Sequence, residues 1–339
     1  MTKRVGSSRG VTGHDVAAHA GVSIATVSRA LSGNRPMSEE LRLRVMHSAT
    51  ELGYQVNLVG RALRQKRTAT LGLVIPDLEN PFFSSLAQHV SRSFAASEVD
   101  VMISSADNDI HQELRAVQSF LGRQVEGLIL IPSDEKESRA TVELASRYVP
   151  TIQFDRFVPG AAIPFIGCDN RFGMELISDH IADEVSVALQ KAFFVGGGES
   201  SSSGRERSAA FLALRPDVDL REGSFSFDWG QEAARQIIAE GHTSGTIVCA
   251  ADVIALGVSS RLISGGYRVP EDFRVIGFDD AGVSFLAHPP LTTVRQPISE
   301  MTAAIGEMLR ESRPVGSTPE RTLFKPELVV RESSPGTSG

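Results

Sequence analysis

The chain is poor in the residues that staple a fold or anchor it in a bilayer. Its 339 residues include only two cysteines, Cys168 and Cys249. Their wide separation fits neither a disulfide framework nor a metal spacing, so each reads as a small buried hydrophobe in a reducing cytoplasm. No metal and no cofactor are expected. No run approaches the ~18 consecutive apolar residues of a membrane helix. The opening Met1 to Gly10 lacks the apolar core of an export signal, which again points to the cytoplasm. Aromatic residues make up only 6%, with a single tryptophan. The GxSxG, HExxH and GxxxxGK[ST] patterns are absent, and Gly196-Gly-Gly-Glu-Ser-Ser-Ser-Ser-Gly204 lacks the lysine of a phosphate loop. That run reads as a loop over a cleft, and the chain does not read as an enzyme.

What is present is globular in character. The chain is 41% hydrophobic and 22% charged, enough for two or three domains and unlike a disordered or fibrous composition. The net charge of −7 is unevenly spread. Residues 1–67 hold eleven Lys/Arg against four acids, a surplus of seven positive charges, which leaves fourteen negative on the remainder. A basic head on an acidic body suits a polyanion partner for the head alone.

The head has the spacing of a helix-turn-helix. Val16, Ala17 and Ala20 share one face of a short helix starting near Asp15, and Gly21 supplies the turn. Ser23 caps a second helix with Val27, Ala30 and Leu31 facing inward. A third helix, capped by Ser38 and striped by Leu41, Val45, Ala49 and Leu52, ends at Gly53. On the second helix Ile24, Ala25, Ser28 and Arg29 face away from the packed stripe, where a recognition helix meets base edges; Arg29 suits guanine, and Ile24 and Ala25 offer only apolar contact.

The order Asp15-Val-Ala-x-x-Ala-Gly-Val-Ser23, Ala25-Thr-Val-Ser-Arg29, Leu52-Gly-Tyr54 and Asn57 resembles the lactose-repressor (LacI/GalR) family of bacterial transcription regulators, and the likeness runs to Val330-Arg-Glu-Ser333. The resemblance implies DNA contacts from Ser23, Ile24, Ala25, Thr26, Ser28 and Arg29. It also implies a hinge helix with Asn57, Arg61 and a minor-groove leucine at Leu63. The family's usual proline before the hinge asparagine is Val56 here, and Gly60 lies within the hinge, so its ordering on DNA costs more.

Beyond residue 68, strands at Thr70–Ile75, Val101–Ser104, Gly127–Ile131, Thr151–Phe154, Ala192–Val195, Thr246–Cys249 and Phe273–Phe278 alternate with helices. This predicts two doubly wound parallel-sheet α/β lobes behind the small all-α head, with ligand residues just past the strand ends. Asp77, Asn80, Phe82, Phe83, Asp155, Arg156, Ser203, Arg207, Phe225, Trp229, Asp252, Asp279 and Asp280 stand there, a set suited to sugar hydroxyls, although Asp252 reads as a helix cap.

The family's body resembles periplasmic sugar-binding proteins. Its marks are Asn80-Pro-Phe-Phe83, Asp169-Asn170, Arg207-x3-Phe211, Ile276-Gly-Phe-Asp-Asp280 and Pro289–Pro297. They put Arg207 and Asp279 first as effector ligands, then Asp77, Phe82, Phe83, Asp155, Ser203, Phe225 and Gln296. Ala251 removes one hydroxyl partner found in sugar-responsive relatives, and 183–191 replaces a Gly-His element.

The expected organisation is a basic tail (1–10), the DNA-binding domain (11–55), a hinge (56–67) and a tail (336–339). Between them lie an N-lobe of 68–166 with 296–323 and a C-lobe of 167–295 with 324–335. The expected function is a cytoplasmic, sequence-specific repressor of palindromic operator DNA under a small effector, most simply a sugar. With no C-terminal leucine heptads, a homodimer is expected. A periplasmic-type solute-binding protein and a nucleobase- or nucleoside-responsive regulator are the alternatives.

Overall fold

In the computed structural model, which describes residues 10–32, 36–55, 67–95, 97, 99–182, 191–310 and 320–336, the chain divides between Thr68 and Ala69 into two units. The expected hinge residues Val56, Asn57, Gly60, Arg61 and Leu63 lie outside the described residues, as does 183–190.

The first unit holds α1 (Gly13–Ala20), α2 (Ile24–Ser32) and α3 (Glu39–Glu51). The first helix starts two residues earlier than its apolar pattern suggests, because Thr12 and Asp15 cap it reciprocally: Thr12 N donates to Asp15 Oδ2 at 2.8 Å, and Asp15 N donates to Thr12 Oγ1 at 3.4 Å. Gly21, at φ +66°, ends it in the left-handed conformation that a side chain would strain. Ser23 Oγ accepts from Thr26 N at 3.2 Å and Ser38 Oγ from Leu41 N at 3.4 Å, so both later helices open on the expected serines. Val16, Ala17, Ala20, Val27, Ala30, Val45 and Ala49 form the core, edged by Leu31, Leu52 and Tyr54. The small residues let the helices approach closely.

The second unit is built on two six-stranded sheets. The first takes β1 (Thr70–Ile75), β2 (Asp100–Ser105), β3 (Gly127–Leu130), β4 (Thr151–Phe154), β5 (Phe165–Cys168) and β11 (Arg321–Phe324) in the order β11-β5-β4-β3-β1-β2, all parallel. The second takes β6 (Ala192–Val195), β7 (Asp219–Arg221), β8 (Gly245–Cys249), β9 (Phe273–Asp279), β10 (Thr292–Arg295) and β12 (Glu327–Val329) in the order β12-β10-β9-β8-β6-β7. Only β12 pairs antiparallel there. The chain passes between the sheets after β5, after β10 and after β11, giving two lobes joined three times. The expected lobe boundary at 166/167 falls inside β5, whose Gly167 and Cys168 pair with Leu323 and Phe324.

Helices cover both faces of each sheet, as parallel strands with continuous apolar runs require. In the first lobe α4 (Pro81–Ala95) and α12 (Ile298–Arg310) cover one face through Leu86, Val90, Met301 and Ile305. α5 (Ile110–Gly122) and α6 (Arg139–Tyr148) cover the other through Val117, Phe120 and Val142. The second lobe carries α7 (Asn170–Ala182), α8 (Ser202–Leu214), α9 (Phe227–Ala239), α10 (Asp252–Ser264) and the short α11 (Val283–Leu286). Its core is a single cluster that includes Phe193, Phe194, Phe211, Phe273 and Phe278. The carboxyl ends of both sheets meet at the space between the lobes.

Candidate functional site

On the head, Ile24, Ala25, Ser28 and Arg29 are exposed on one side of α2, while Val27 and Ala30 are buried on the other. Ser23 is exposed and Thr26 half-buried; their hydroxyls lie 2.9 Å apart. Arg29 Nε donates to Ala25 O at 3.3 Å, which holds the guanidinium against its own helix. Ile24 is 40% exposed, yet its Cδ1 lies over Gly13, where an added Cβ would come within 2.9 Å of it. The side chain is thus half committed to the head's own packing.

In the body the strand ends deliver a buried polar cluster. Arg207, 2% exposed on the first turns of α8, donates from Nε to Asn170 Oδ1 at 2.8 Å and from Nη1 to Ala250 O at 2.7 Å and Asp279 Oδ1 at 3.3 Å. Its guanidinium carbon lies 3.7 Å from the centre of the Phe278 ring, a close cation–π contact. Gln296 Nε2 donates to the same Asp279 oxygen at 2.7 Å. Asp155 and Arg156, at the end of β4, complete the group from the first lobe at 5% and 4% exposure.

Burial dominates the electrostatics. It pushes Asp279 up to about 7, against the pull of Arg207 and with a further push from Asp155. Burial also raises Asp155, opposed by Arg207 and Arg156, and lowers Arg156, opposed by Asp155 and Asp77. Three buried atoms here have no hydrogen-bond partner among the described residues: Asp155 Oδ1, Gln296 Oε1 and Arg156 Nε, the last of which lies 3.9 Å from Asp155 Oδ2. Two want donors and one an acceptor, the complement of a hydroxyl-bearing molecule. The backbone is strained at the same places, with Asp155 at φ +60°, Asp279 at +121°, Asp280 at +49° and Asn108 at +53°. Left-handed non-glycine residues cost of order 1–3 kcal/mol each and persist where surrounding structure holds them.

The first turns of α8 also tie the lobes together. Glu135, 6% exposed beyond β3, accepts from Arg205 Nε at 2.9 Å, and its backbone N donates to Ser200 O at 2.7 Å. Phe157 N donates to Ser202 Oγ at 2.9 Å. Glu206 accepts from Asn170 Nδ2 at 2.9 Å and from Arg321 Nη2, on β11, at 2.6 Å. Three successive residues thus face an interlobe carboxylate, an interlobe guanidinium and the deep cluster.

Several expectations need correction. Asp252 is no helix cap. Ala251 holds the N-cap position of α10, and Asp252, fully buried, accepts from Thr293 Oγ1 at 2.6 Å, from Ala281 N at 3.0 Å and from Ser284 Oγ. It fastens the segment after β9 to β10, and burial followed by the charge of Asp279 raises its carboxyl well above the ordinary range. The serine-rich run is not a loop throughout: Ser201 caps α8, and Ser202 to Gly204 are its buried first turn. Ser203 is 3% exposed with its hydroxyl on that of Ser201.

Asp77 is spent locally, accepting from Asn80 N at 2.7 Å and Asn108 Nδ2 at 3.1 Å. Phe82 and Phe83 belong to the first-lobe core. Phe225 is half-buried at the cleft, with Arg156 5.1 Å from its ring centre. Trp229 stands behind it, donating to Gly196 O at 2.9 Å. The structure therefore brings Asp155, Arg207, Asp279 and Gln296 together. It adds Asn170, legible only as half of the Asp169-Asn170 pair, and Glu135, which no local pattern marks.

A helix-turn-helix head on a two-lobed body with a polar site between the lobes defines a ligand-responsive DNA-binding regulator. Residues 12–57 match the family model described as bacterial regulatory proteins of the lacI family, and residues 189–334 match a periplasmic binding protein-like domain. The chain is 30% identical to the ribose operon repressor of Halalkalibacterium halodurans over 95% of its own length and 96% of that protein's. In structure it is similar to a lac repressor dimer bound to operator and an anti-inducer, with a TM-score of 0.82 at 26% identity over 97% of this chain and 100% of that one. It is also similar to the transcriptional regulator CelR in complex with cellobiose, with a TM-score of 0.66 at 26% identity over 95% and 99% of the two chains. The chain belongs to the lacI family of bacterial regulatory proteins and is a transcriptional regulator. Among the described residues no helix is long and apolar enough to cross a membrane.

Proposed function

We propose that the protein is a cytoplasmic repressor without enzymatic activity that binds a two-fold operator as a homodimer and is controlled by a neutral sugar held between the lobes. The exposed face of α2, with Arg29 as its one cation capable of bidentate guanine contact, supports direct reading of the major groove. A C2 dimer presenting two such heads suits a palindromic site. The observation that carries the effector reading is the cluster of Asp155, Arg207, Asp279 and Gln296, whose unpartnered buried atoms call for hydroxyls. Phe225 offers a ring for the apolar face of a sugar.

Control follows if the effector prefers one angle between the lobes, since a ligand with equal affinity for both arrangements shifts nothing. Leu63 is then the minor-groove wedge that one arrangement brings together with its symmetry mate and the other separates. The test is thermal unfolding of the full chain against sugars, sugar phosphates and nucleosides. A ligand at 100 times its Kd adds about 2.7 kcal/mol of stability. A neutral sugar that raises Tm and also releases a selected operator duplex supports the reading, and a response confined to nucleosides overturns it.

A further inference from the structure

The turn after β3 is where the first lobe grips the second. Residues 133–138 fix their own shape: Asp134 Oδ1 accepts from Lys136 N at 2.7 Å and Glu137 N at 2.8 Å, and Asp134 N donates to Ser138 Oγ at 3.2 Å. The turn presents Glu135 to the start of α8. There both oxygens of the carboxylate accept from Arg205 Nε, at 2.9 and 3.1 Å, and Glu135 N donates to Ser200 O, one residue ahead of the Ser201 cap.

A second carboxylate aims this turn from behind. Glu113, on α5, is 0% exposed, and its Oε2 accepts from Ser133 N at 2.7 Å and from Ser138 Oγ at 3.0 Å, the two ends of the turn. Burial raises its carboxyl, and the charge of Asp134 pushes the same way. An ionisable group in such a place is costly, and what it contributes is a fixed direction for Glu135.

Position in the fold separates this contact from the other bonds between the lobes. The chain crosses after β5, β10 and β11, and α12, which follows the β10 crossing, packs over β4 and β5. The hinge thus lies along the β11-β5-β4 side of the first sheet. Glu206 meets Arg321 on β11, beside a crossing, where a rotation of the lobes changes distances least. β3 lies beyond β4, so the same rotation carries Glu135 further from Arg205.

We infer that the 133–138 turn is a latch on the open side of the hinge, closed by Glu135 on Arg205 and Ser200 and aimed by Glu113 as a positioning residue, and that its strength sets operator affinity through the proportion of closed lobes. The second half rests on control through the lobe angle, proposed above; the latch itself does not.

Hydrogen exchange of the full chain reads the latch at Phe157, whose N–H crosses to Ser202 Oγ without touching Glu135. Glu135→Ala and Arg205→Ala should each speed exchange there by about fivefold or more, and the double variant no further, since one contact is lost in all three. Glu113→Ala should do the same from inside the first lobe. Glu113→Gln, which keeps an acceptor oxygen for the turn, should stay within about twofold of the wild type. If Glu113→Ala does not fold, Ser138→Ala removes the other end of one of these bonds. Exchange at Val74 in β1 should be unchanged in every variant. Fluorescence anisotropy on a duplex selected from a random pool should show Kd moved by about threefold or more, in one direction for Glu135→Ala and Glu113→Ala alike. Unchanged exchange at Phe157 in Glu135→Ala overturns the latch, and so does faster exchange that extends to Val74. Faster exchange at Phe157 with an unmoved duplex Kd overturns the link to operator affinity. A wild type that binds no duplex overturns the operator reading and leaves the latch to be judged by exchange.

Discussion

Arg207 Nη1 and Asp279 Oδ1 lie 3.3 Å apart with both residues almost wholly out of water. Each makes the other's burial tolerable, and neither is tolerable alone. Removing the cation with Arg207→Ala leaves Asp155 and Asp279 as buried acids without it. Breaking such a pair costs about 3–5 kcal/mol, whereas Arg207→Met, which refills the space with apolar volume, should cost less. Urea unfolding of the two variants checks this; both lose the cation, so equal losses would show that the refilled volume contributes nothing and that the missing charge accounts for the whole cost. On the effector reading, both variants that fold should hold the operator and ignore the effector.

The carboxyl of Asp279 gives the stability a pH dependence of definite sign. Its folded pKa of about 7 lies above the ordinary carboxylate range, so the folded state keeps a proton that the unfolded chain gives up near pH 4. The resulting stabilisation is present in full below pH 4 and is lost as the pH rises toward 7. Tm of the wild type should therefore fall relative to that of Asp279→Asn across this window. A constant difference between the two from pH 4 to pH 7.5 would remove Asp279 as the source.

Gly230 sits inside α9, where helix propensity alone predicts that alanine stabilises by about 1 kcal/mol. The packing reverses the sign. A Cβ there would lie 2.1 Å from the carbonyl oxygen of Ile254 on α10, which is backbone and cannot rotate away. Gly230→Ala should lose about 1–3 kcal/mol or more by forcing the two helices apart. A rise in Tm would show that α9 and α10 shift freely.

In the head, Ser23→Ala removes the oxygen that accepts from Thr26 N and should cost about 1 kcal/mol of head stability. Arg29→Ala should leave the fold intact and weaken binding to a duplex selected from a random pool by about 1–3 kcal/mol. Fluorescence anisotropy with that duplex and a scrambled one separates the effects. A loss shared equally by both duplexes makes Arg29 a phosphate contact.

The helix-turn-helix was legible because its signals are local: a cap, a glycine and a small-residue face lie within twenty positions. β1, β3, β4, β6, β8 and β9 were legible as apolar runs, whereas β7 and β10 were not read as strands. β11 and β12 were not, because each is a short edge strand with no buried residue to mark it as an apolar run. β5 was missed for a different reason, being four residues long and followed after one residue by α7. In the site, the strand-end rule found Asp155 and Asp279, but it also offered Asp77 and Asp252, whose oxygens are used within the protein. Residue type and position do not distinguish a carboxylate with a spare oxygen from one already satisfied. Only the partners do.

The crowded start of α8 bears on how such a protein acquires a new specificity. With Arg205 on Glu135, Glu206 on Arg321 and Arg207 on Asp279, this turn has no idle position, and any exchange there disturbs the joint between the lobes as well as the recognition of the ligand. The cavity of about 540 Å³ that Asn108 to His111 and Gly223 to Ser226 line, the outer wall of the cleft, lacks that burden: Ser224 and His111 are exposed, and neither bridges the lobes in any hydrogen bond described above. A library that randomises the outer wall and spares 202–207 should therefore yield regulators tuned to different sugars that still switch. One aimed at the helix should yield mostly proteins locked in one state.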